Sequence, residues 1–221
     1  FICCTGLKEF NSKYASEDGR CLIIDGTLNS FAPAGLTEYT IPDSVTTIGG
    51  GAFYNCTKLQ SITWGKSVKT VGGSAFNNCT SLNAVHISDL AAWCDVDFII
   101  STGTENPLYY ARNLYLDGDL VTDLVIPESI TAIKQLAFFY CGSIKNLTIH
   151  DNLTSIGHNA FQNCDGMESV TIGVSVTTIG EGAFAYCSSL TSVTIPDSVT
   201  SIGNYAFAYC SSLTSVTMGN G

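Results

Sequence analysis

The sequence has few basic residues, and this limits the partners that the protein can have. Lys and Arg together number 9, whereas Asp and Glu number 19, so the 221-residue chain carries a formal net charge of −10 at pH 7. A surface of this sign repels a phosphate backbone, which proteins usually contact through Lys and Arg. Nucleic acid is therefore not an expected partner.

Long apolar runs are also missing. No stretch of roughly 18 consecutive apolar residues occurs, and a membrane-spanning helix needs about that length. Hydrophobic residues nonetheless make up 45% of the chain and charged residues only 13%, which is the opposite of the balance in disordered proteins. The composition predicts a folded protein with a sizeable core and no membrane span in this sequence.

The residue patterns of common catalytic and metal sites are absent from the sequence. It has no Cys-x-x-Cys pair, no His-Glu-x-x-His, no Gly-x-Ser-x-Gly and no phosphate-binding loop. His86, His150 and His158 are expected on three different sides of the fold. The acidic pairs at 95–97 and 117–119 lack the downstream Glu of a calcium loop. We therefore predict no enzyme activity, no metal and no cofactor.

The chain contains an internal repeat of constant period. An Ala-Phe pair recurs with a Cys three residues after each Phe; the pairs end at Phe53, Phe76, Phe138, Phe161, Phe184 and Phe207, and the cysteines are Cys56, Cys79, Cys141, Cys164, Cys187 and Cys210. Neighbouring copies differ by 23 in the numbering, except across the wider gap between Phe76 and Phe138. A period of this length is typical of leucine-rich solenoids, in which each repeat contributes one strand.

The copy at 190–210 shows the pattern of one repeat most clearly. Alternation predicts a short strand whose Val193 and Ile195 point inward, while the hydroxyl residues between them face solvent. Pro196 ends this strand, and a second apolar pair returns the chain along the opposite side. Residues 204–210 are too few for an independent helix, so we predict one turn of 3₁₀ or α-helix over a buried Phe207. Because one repeat cannot bury its apolar face alone, the repeats must stack.

The repeat resembles the leucine-rich repeats of the BspA-type bacterial surface proteins, with the pattern L-x-x-V-x-I-P-x-S-V-T-x-I-G-x-x-A-F-x-x-C. Residues 36–87 and 121–218 follow it directly. The resemblance implies a β-rich, right-handed solenoid of short strands and short helical turns. It also implies a secreted or surface-attached bacterial protein that adheres to host or matrix proteins or to other cells.

We predict one solenoid domain over residues 1–221. Its parts are an irregular hairpin repeat at 1–35, repeats at 36–87, an enlarged irregular repeat with a hairpin at 88–123, and repeats at 124–218, of which the last is cut short. The chain starts at Phe1 without a Met, and Met218 begins a further repeat. We therefore expect both ends to be cuts within a longer protein.

Six of the ten cysteines form one column of the repeat. Neighbouring repeats lie about 5 Å apart, so disulfides between them are sterically conceivable. Such bridges would join alternate pairs only and would not explain a Cys in every repeat. We therefore predict buried thiols that fill a small apolar site. Cys3, Cys4, Cys21 and Cys94 lie outside the column; a disulfide between two of them is conceivable, and the sequence does not indicate which two.

The segment 88–123 interrupts the repeats and is rich in aromatic residues. It should contain a short helix that starts at Leu90 and is capped by Ser88 or Asp89, followed by a hairpin around Asp117-Gly118. A similar hairpin is predicted around Asp25-Gly26. Such insertions often carry contacts, and the candidates are Trp93, Tyr109, Tyr110 and Arg112. The alternative is that these rings cover the gap where the coil widens.

The outward side of the strands is lined with short hydroxyl residues. The candidate ligand-binding residues on this side are Thr148, Thr171, Thr194, Ser169, Ser192 and His86. Short hydroxyls can make many hydrogen bonds at little entropic cost, although Ser and Thr here can also serve only strand formation and solubility. We therefore predict a monomeric, non-catalytic binding module for a protein or glycan, for example a host matrix protein. The rival functions are a structural spacer for another module and, less favoured, an enzyme.

Overall fold

The computed structural model describes residues 4–99 and 103–220, so Cys3 lies outside the described residues. The chain forms short strands joined by turns, with two short helices in the middle. In chain order these are β1 (Cys21–Ile24), β2 (Thr27–Phe31), β3 (Glu38–Thr40), β4 (Thr47–Ile48), β5 (Ser61–Thr63), β6 (Thr70–Val71), β7 (Ala84–Ile87), α1 (Leu90–Cys94), β8 (Asp97–Phe98), α2 (Leu108–Ala111), β9 (Leu114–Leu116), β10 (Asp119–Leu120), β11 (Asp123–Val125), β12 (Ala132–Ile133), β13 (Asn146–Thr148), β14 (Ser155–Ile156), β15 (Ser169–Thr171), β16 (Thr178–Ile179), β17 (Ser192–Ile195), β18 (Ser201–Ile202) and β19 (Ser215–Met218).

Each regular repeat gives one strand to each of two parallel walls. The first wall contains β3, β5, β7 and β9, then β11, β13 and β15, and finally β17 and β19. The second wall contains β2, β4, β6 and β8, followed by β12, β14, β16 and β18. Paired residues occupy equivalent positions of neighbouring repeats, for example Leu147 and Val170. This arrangement confirms the predicted leucine-rich, β-rich solenoid.

The core is a continuous interior between the two walls. The phenylalanines of the Ala-Phe pairs stack as nearly parallel rings inside it: Phe138 and Phe161 have centroids 5.1 Å apart, and Phe161 and Phe184 have centroids 5.3 Å apart. The inward strand residues Val193 and Ile195 are buried, while Ser192 and Thr194 between them are exposed, as predicted. Equivalent residues of successive repeats therefore share one core.

The segment that carries each Ala-Phe pair is a run of turns, so the prediction of a 3₁₀ or α-helical turn there was wrong. Two residues in every regular copy have a left-handed backbone; in the last copy they are Tyr205 at φ 60° and Tyr209 at φ 59°. A left-handed residue every four positions prevents a right-handed helix from continuing. The freed N–H groups bond to the next repeat instead, as when Phe161 donates to the Ala183 carbonyl at 2.8 Å.

The cysteine column is buried as predicted. Cys56, Cys79, Cys141, Cys164 and Cys187 are buried thiols, and Cys210 in the last copy is half-buried. The thiols also donate hydrogen bonds: Cys164 Sγ lies 3.2 Å from the Phe138 carbonyl oxygen, and Cys187 Sγ lies 3.3 Å from that of Phe161. A thiol therefore fits this position as a small side chain and also as a donor to the preceding repeat.

Both predicted hairpins form, on different walls. Asp25 and Gly26 join β1 to β2, and β2 pairs with β4 in the second wall. Asp117 and Gly118 join β9 to β10, and β9 pairs with β7 in the first wall. All four turn residues have positive φ, which suits the tight turn that the Asp-Gly pairs predicted. The two hairpins are therefore not equivalent parts of one repeat.

Segment 88–123 fills the place of a regular repeat in the stack. Helix α1 is capped by Asp89, whose carboxylate accepts the Ala92 N–H at 2.9 Å, which confirms one of the two predicted caps. The carbonyl of Thr104 accepts the Phe76 N–H at 3.0 Å. In the regular repeats, the equivalent Phe N–H donates to the carbonyl of an Ala in the next repeat. Among residues 4–99 and 103–220, no helix is long and apolar enough to cross a bilayer.

Candidate functional site

The structure places all six candidates from the strand columns on the outward side of the first wall, which we call the strand face, and it exposes five of them. Ser169 and Ser192 lie along one column of it, and Thr148, Thr171 and Thr194 lie along the other; all five are exposed. The register pairs Thr148 with Thr171 across neighbouring strands. The hydroxyl columns thus form one continuous surface.

His86 also lies on the strand face, but its ring is not freely presented. It is half-buried and stacks on Tyr115, with the ring centroids 4.7 Å apart and the planes at 24°. Tyr115 belongs to β9 in segment 88–123, so the sequence pattern of the repeat does not point to it. The stacked pair gives this part of the face an aromatic surface.

A chain of side-chain hydrogen bonds crosses the strand face at β11, β13 and β15. Ser169 Oγ donates to Asn146 Oδ1 at 2.8 Å, and Asn146 Nδ2 donates to Asp123 Oδ1 at 2.7 Å. The hydrogen bonds from Asn146 and Thr122 lower the pKa of the Asp123 carboxyl, so this group stays ionised at neutral pH. The Ser169 hydroxyl is already engaged here, whereas the Asp123 carboxylate keeps a fixed negative charge on the face.

The strand face is interrupted between β10 and β11 by an open groove of about 520 Å³, which we call the hairpin groove. It is lined by Leu90, Leu116, Asp117 and the continuous stretch 119–125. Two of its apolar side chains are exposed, Leu120 at 43% and Val125 at 60%. Exposed aliphatic side chains in a groove between polar strand edges are a feature of interaction sites.

Two strand edges open onto this groove. Strand β10 is the outer strand of one sheet, and β11 is the outer strand of the next. Leu120 sits opposite Tyr115, and the Val121 N–H bonds to the Leu114 carbonyl. In an antiparallel pair, residues alternate between hydrogen-bonding to the partner strand and pointing away from it. Because Val121 bonds to β9, the N–H and C=O groups of Leu120 point away from β9. The strand β10 therefore offers main-chain donors and acceptors to the groove.

The same holds for β11 on the other side of the groove. The Asn146 N–H bonds to the Thr122 carbonyl, and the Ile126 N–H bonds to the Thr148 carbonyl. Even-numbered residues of this stretch thus face β13, and the peptide groups of Asp123 and Val125 point into the groove. The repeat pattern places Val125 in an outward column but does not predict that its main chain is exposed.

Trp93 was wrongly proposed as a contact residue. Its side chain is 0% exposed, and its indole Nε1 donates to the Ala137 carbonyl at 2.8 Å. The ring also packs edge-on against Trp64, with centroids 4.9 Å apart. Since the gap left by the missing repeat needs a large apolar filler, Trp93 is part of the core and not of a binding surface.

The other candidates from the insert are half-buried and lie away from the strand face, beside the turn segments. The Tyr110 hydroxyl accepts the Asn78 N–H at 2.9 Å, and Tyr109 packs on Tyr140 with centroids 4.8 Å apart. The Arg112 guanidinium bonds to the Asp165 carboxylate and lies over the Tyr140 ring. Each side chain therefore has a structural role, and a contact role for these three residues stays a prediction.

Titratable residues are not gathered into a metal centre in the part of the chain that the structure describes. No three His, Cys, Asp or Glu side chains there are arranged to hold a metal ion. The ring of His150 bridges two turns, with Nε2 2.8 Å from the Pro127 carbonyl oxygen and Nδ1 accepting the Asn152 N–H.

Comparison with solved structures finds bacterial leucine-rich repeat proteins. A leucine-rich repeat protein from Bacteroides ovatus ATCC 8483 is 30% identical; the match covers 85% of this chain and 51% of that one, with a TM-score of 0.49. A leucine rich cell surface protein from Faecalibacterium prausnitzii A2-165 is 19% identical over 87% of this chain and 82% of that one, with a TM-score of 0.44. The pneumococcal vaccine antigen PcpA is 16% identical over 99% and 74% of the two chains, with a TM-score of 0.48.

No curated protein matches the chain. The family described as the BspA type leucine rich repeat region matches residues 27–94 and 112–221, in six copies. These ranges hold nearly all of both walls and the whole cysteine column, and they leave out the stretch before residue 27 and the centre of the insert. The chain belongs to the BspA-type leucine-rich repeat family.

Proposed function

We propose that this chain is a non-catalytic binding module of a secreted or surface-attached bacterial protein, and that its strand face adheres to a host matrix protein or to a protein of another cell. The observation that carries the proposal is the hairpin groove, where the main-chain edges of β10 and β11 face one another across an opening of about 520 Å³. An extended segment of a partner can add to such edges by β-augmentation.

The chemistry of the groove describes the partner segment. Leu120 and Val125 offer apolar contacts to alternate side chains of an added strand. Asp117, Asp119 and Asp123 surround the same groove, within a chain of net charge −10. We therefore expect an extended segment in which apolar or β-branched residues alternate with Lys or Arg.

Binding can be tested with peptides before any natural partner is known. A displayed library of random twelve-residue peptides is selected on the intact chain, and the enriched peptides are then measured against variants. Val125→Pro removes an N–H that points into the groove and not toward β13, so it should preserve the fold and weaken binding at least tenfold. Val125→Thr is the control, because Thr148 and Thr171 occupy the equivalent position in the next two repeats. This variant keeps the N–H and should retain most of the affinity.

Adhesion itself is tested on immobilised fibronectin, fibrinogen, laminin and collagen. The proposal expects at least one of these proteins to bind the chain and to lose binding with Val125→Pro or with Thr148→Lys, Thr171→Lys and Thr194→Lys combined. Enriched peptides that bind Val125→Pro as well as the unaltered chain would contradict the groove. Matrix binding that survives both sets of substitutions would contradict the strand face, and a spacer role would then explain the chain better.

A further inference from the structure

The turn side of the last repeats carries a second groove, lined by three tyrosines. In each regular copy the residue before the column Cys has a left-handed backbone, and it is Asn in three copies and Tyr in the others: Asn55, Asn78, Tyr140, Asn163, Tyr186 and Tyr209. Tyr186 and Tyr209 stack with centroids 4.5 Å apart and planes at 14°. Tyr205 completes the lining, and the Tyr186 ring, which the last repeat covers on one side, is still 42% exposed.

The groove exists because small residues replace larger ones in its floor. Gly182 and Ala185 stand where the preceding repeat has Asn159 and Gln162, and Ala208 continues the floor into the next repeat. Gly182 has φ 60°, and a Cβ there would meet the end of the Asn159 side chain, so Gly leaves that side chain its place at the groove. The result is an opening of about 340 Å³, at the lower end of the range for small-ligand pockets.

The lining combines flat aromatic faces with hydrogen-bonding groups at the rim. The amides of Asn159 and Gln162 and the carboxylate of Glu181 line the same opening as the tyrosines. An exposed aromatic face favours a ligand with an apolar C–H face, and amides with a carboxylate favour a ligand with many hydroxyls. A sugar ring has both properties, and Glu181 in a chain of net charge −10 disfavours acidic sugars.

We propose that this groove, which we call the tyrosine groove, is a binding site for a neutral glycan of about one or two sugar rings. One sugar ring lies against the stacked pair Tyr186 and Tyr209. Its hydroxyls bond to Glu181 and to the amides of Asn159 and Gln162. The site is separate from the strand face and does not depend on the function proposed for that face.

The repeat itself supplies variants that should fold. Tyr186→Asn and Tyr209→Asn introduce the residue that stands at the same left-handed position in three other copies, and Ala185→Gln introduces the side chain of Gln162 into the floor. The first two substitutions each remove one ring of the stacked pair, and the third fills the groove. Thr194→Lys on the strand face is the matched control, because it changes a distant surface only.

Saturation-transfer NMR and isothermal calorimetry on the intact chain, with lactose, N-acetyllactosamine, cellobiose, mannobiose, chitobiose and 3′-sialyllactose, test the site. We expect at least one neutral disaccharide to bind, with the strongest saturation on the protons of one ring face. Tyr209→Asn and Ala185→Gln should each weaken binding at least tenfold, and Thr194→Lys should leave it unchanged. No binding by any neutral sugar, a preference for the sialylated sugar, or affinity unaffected by these two substitutions would overturn the proposal.

Discussion

At the scale of single residues, the thiol column shows how one side chain meets two demands. Each Cys must be small enough for a crowded interior, and Cys79, Cys164, Cys187 and Cys210 also donate to the carbonyl of a Phe in the preceding repeat. Burial raises the pKa of Cys141 in the column to about 11, and it raises the pKa of Cys21 and Cys94, which lie outside the column, to about 12. For these residues the thiol form is the stable one throughout the physiological range, and they are inert toward reagents that need a thiolate.

We predict that the buried thiols react with a disulfide reagent only after unfolding. At pH 8 the native chain should show slow reaction at Cys210 and none at the buried column positions, whereas in denaturant without reductant all eight cysteines from Cys21 to Cys210 should titrate. Fewer than eight labelled cysteines among positions 21–210, identified by peptide mapping, would reveal disulfides.

The raised pKa values also give the stability a pH dependence. Because they exceed the ordinary value of 9.0, their contribution to the free energy of unfolding is complete below about pH 9 and declines as the pH rises toward 12. Urea unfolding between pH 7 and pH 10.5 measures this decline, and constant stability over that range would contradict the burial of the thiols.

At the scale of elements, segment 88–123 acts as a substitute for a missing repeat. Helix α1 contributes Trp93 to the core, and the indole bonds to Ala137 in the following repeat. Asn106, which is fully buried, also donates to the Leu136 carbonyl at 2.7 Å. The insert is thus held to the second half of the solenoid by polar bonds in an apolar setting, where each is costly to break.

We predict that Trp93→Phe destabilises the chain by about 1–2 kcal/mol, because it removes the bond to Ala137 while keeping most of the ring. Trp93→Ala should cost about 3–5 kcal/mol, since it leaves a cavity as well. Urea unfolding measures both. Peptide binding at the hairpin groove should be unchanged by Trp93→Phe. If the variant instead lost binding without losing stability, Trp93 would be a contact residue after all.

At the scale of the whole molecule, the phenylalanine column makes stability depend on position along the stack. Phe161 is fully buried and has a ring on each side, at 5.1 Å and 5.3 Å, whereas Phe207 is half-buried and has one stacked neighbour at 5.2 Å. In a solenoid each repeat contacts only its neighbours, so an interior ring supports two interfaces and a terminal ring supports one.

We predict that Phe161→Ala costs about 3–5 kcal/mol of unfolding free energy and that Phe207→Ala costs less than half as much. Phe161→Leu, which keeps an apolar side chain of similar volume, should cost about 1.5 kcal/mol or less. Equilibrium urea denaturation followed by circular dichroism compares the three variants. Equal losses for the two alanine variants would show that the stack does not behave as a series of neighbouring interfaces.

The features that recur in every repeat can be predicted from the amino-acid sequence alone. The period, the inward columns and the buried thiols follow from local patterns, because each repeat meets nearly the same surroundings as the one before it. Both Asp-Gly hairpins and the Asp89 cap were also accessible, since they depend on residues close together in the chain. The turn segments were the exception within the repeat: the left-handed residues include Tyr and Leu, which give no local signal for positive φ.

The place where the regular pattern stops, and the residues exposed there, follow from long-range packing in the folded chain. Residues 119–120 could pair with β9 or with the next repeat, and their pairing with β9 leaves the edges of β10 and β11 open and forms the hairpin groove. The same packing buries Trp93 and keeps Leu120 and Val125 at the surface. Strand pairing and burial depend on contacts between residues far apart in the chain, so a local pattern can indicate a strand but cannot fix its partner or the surface that remains uncovered.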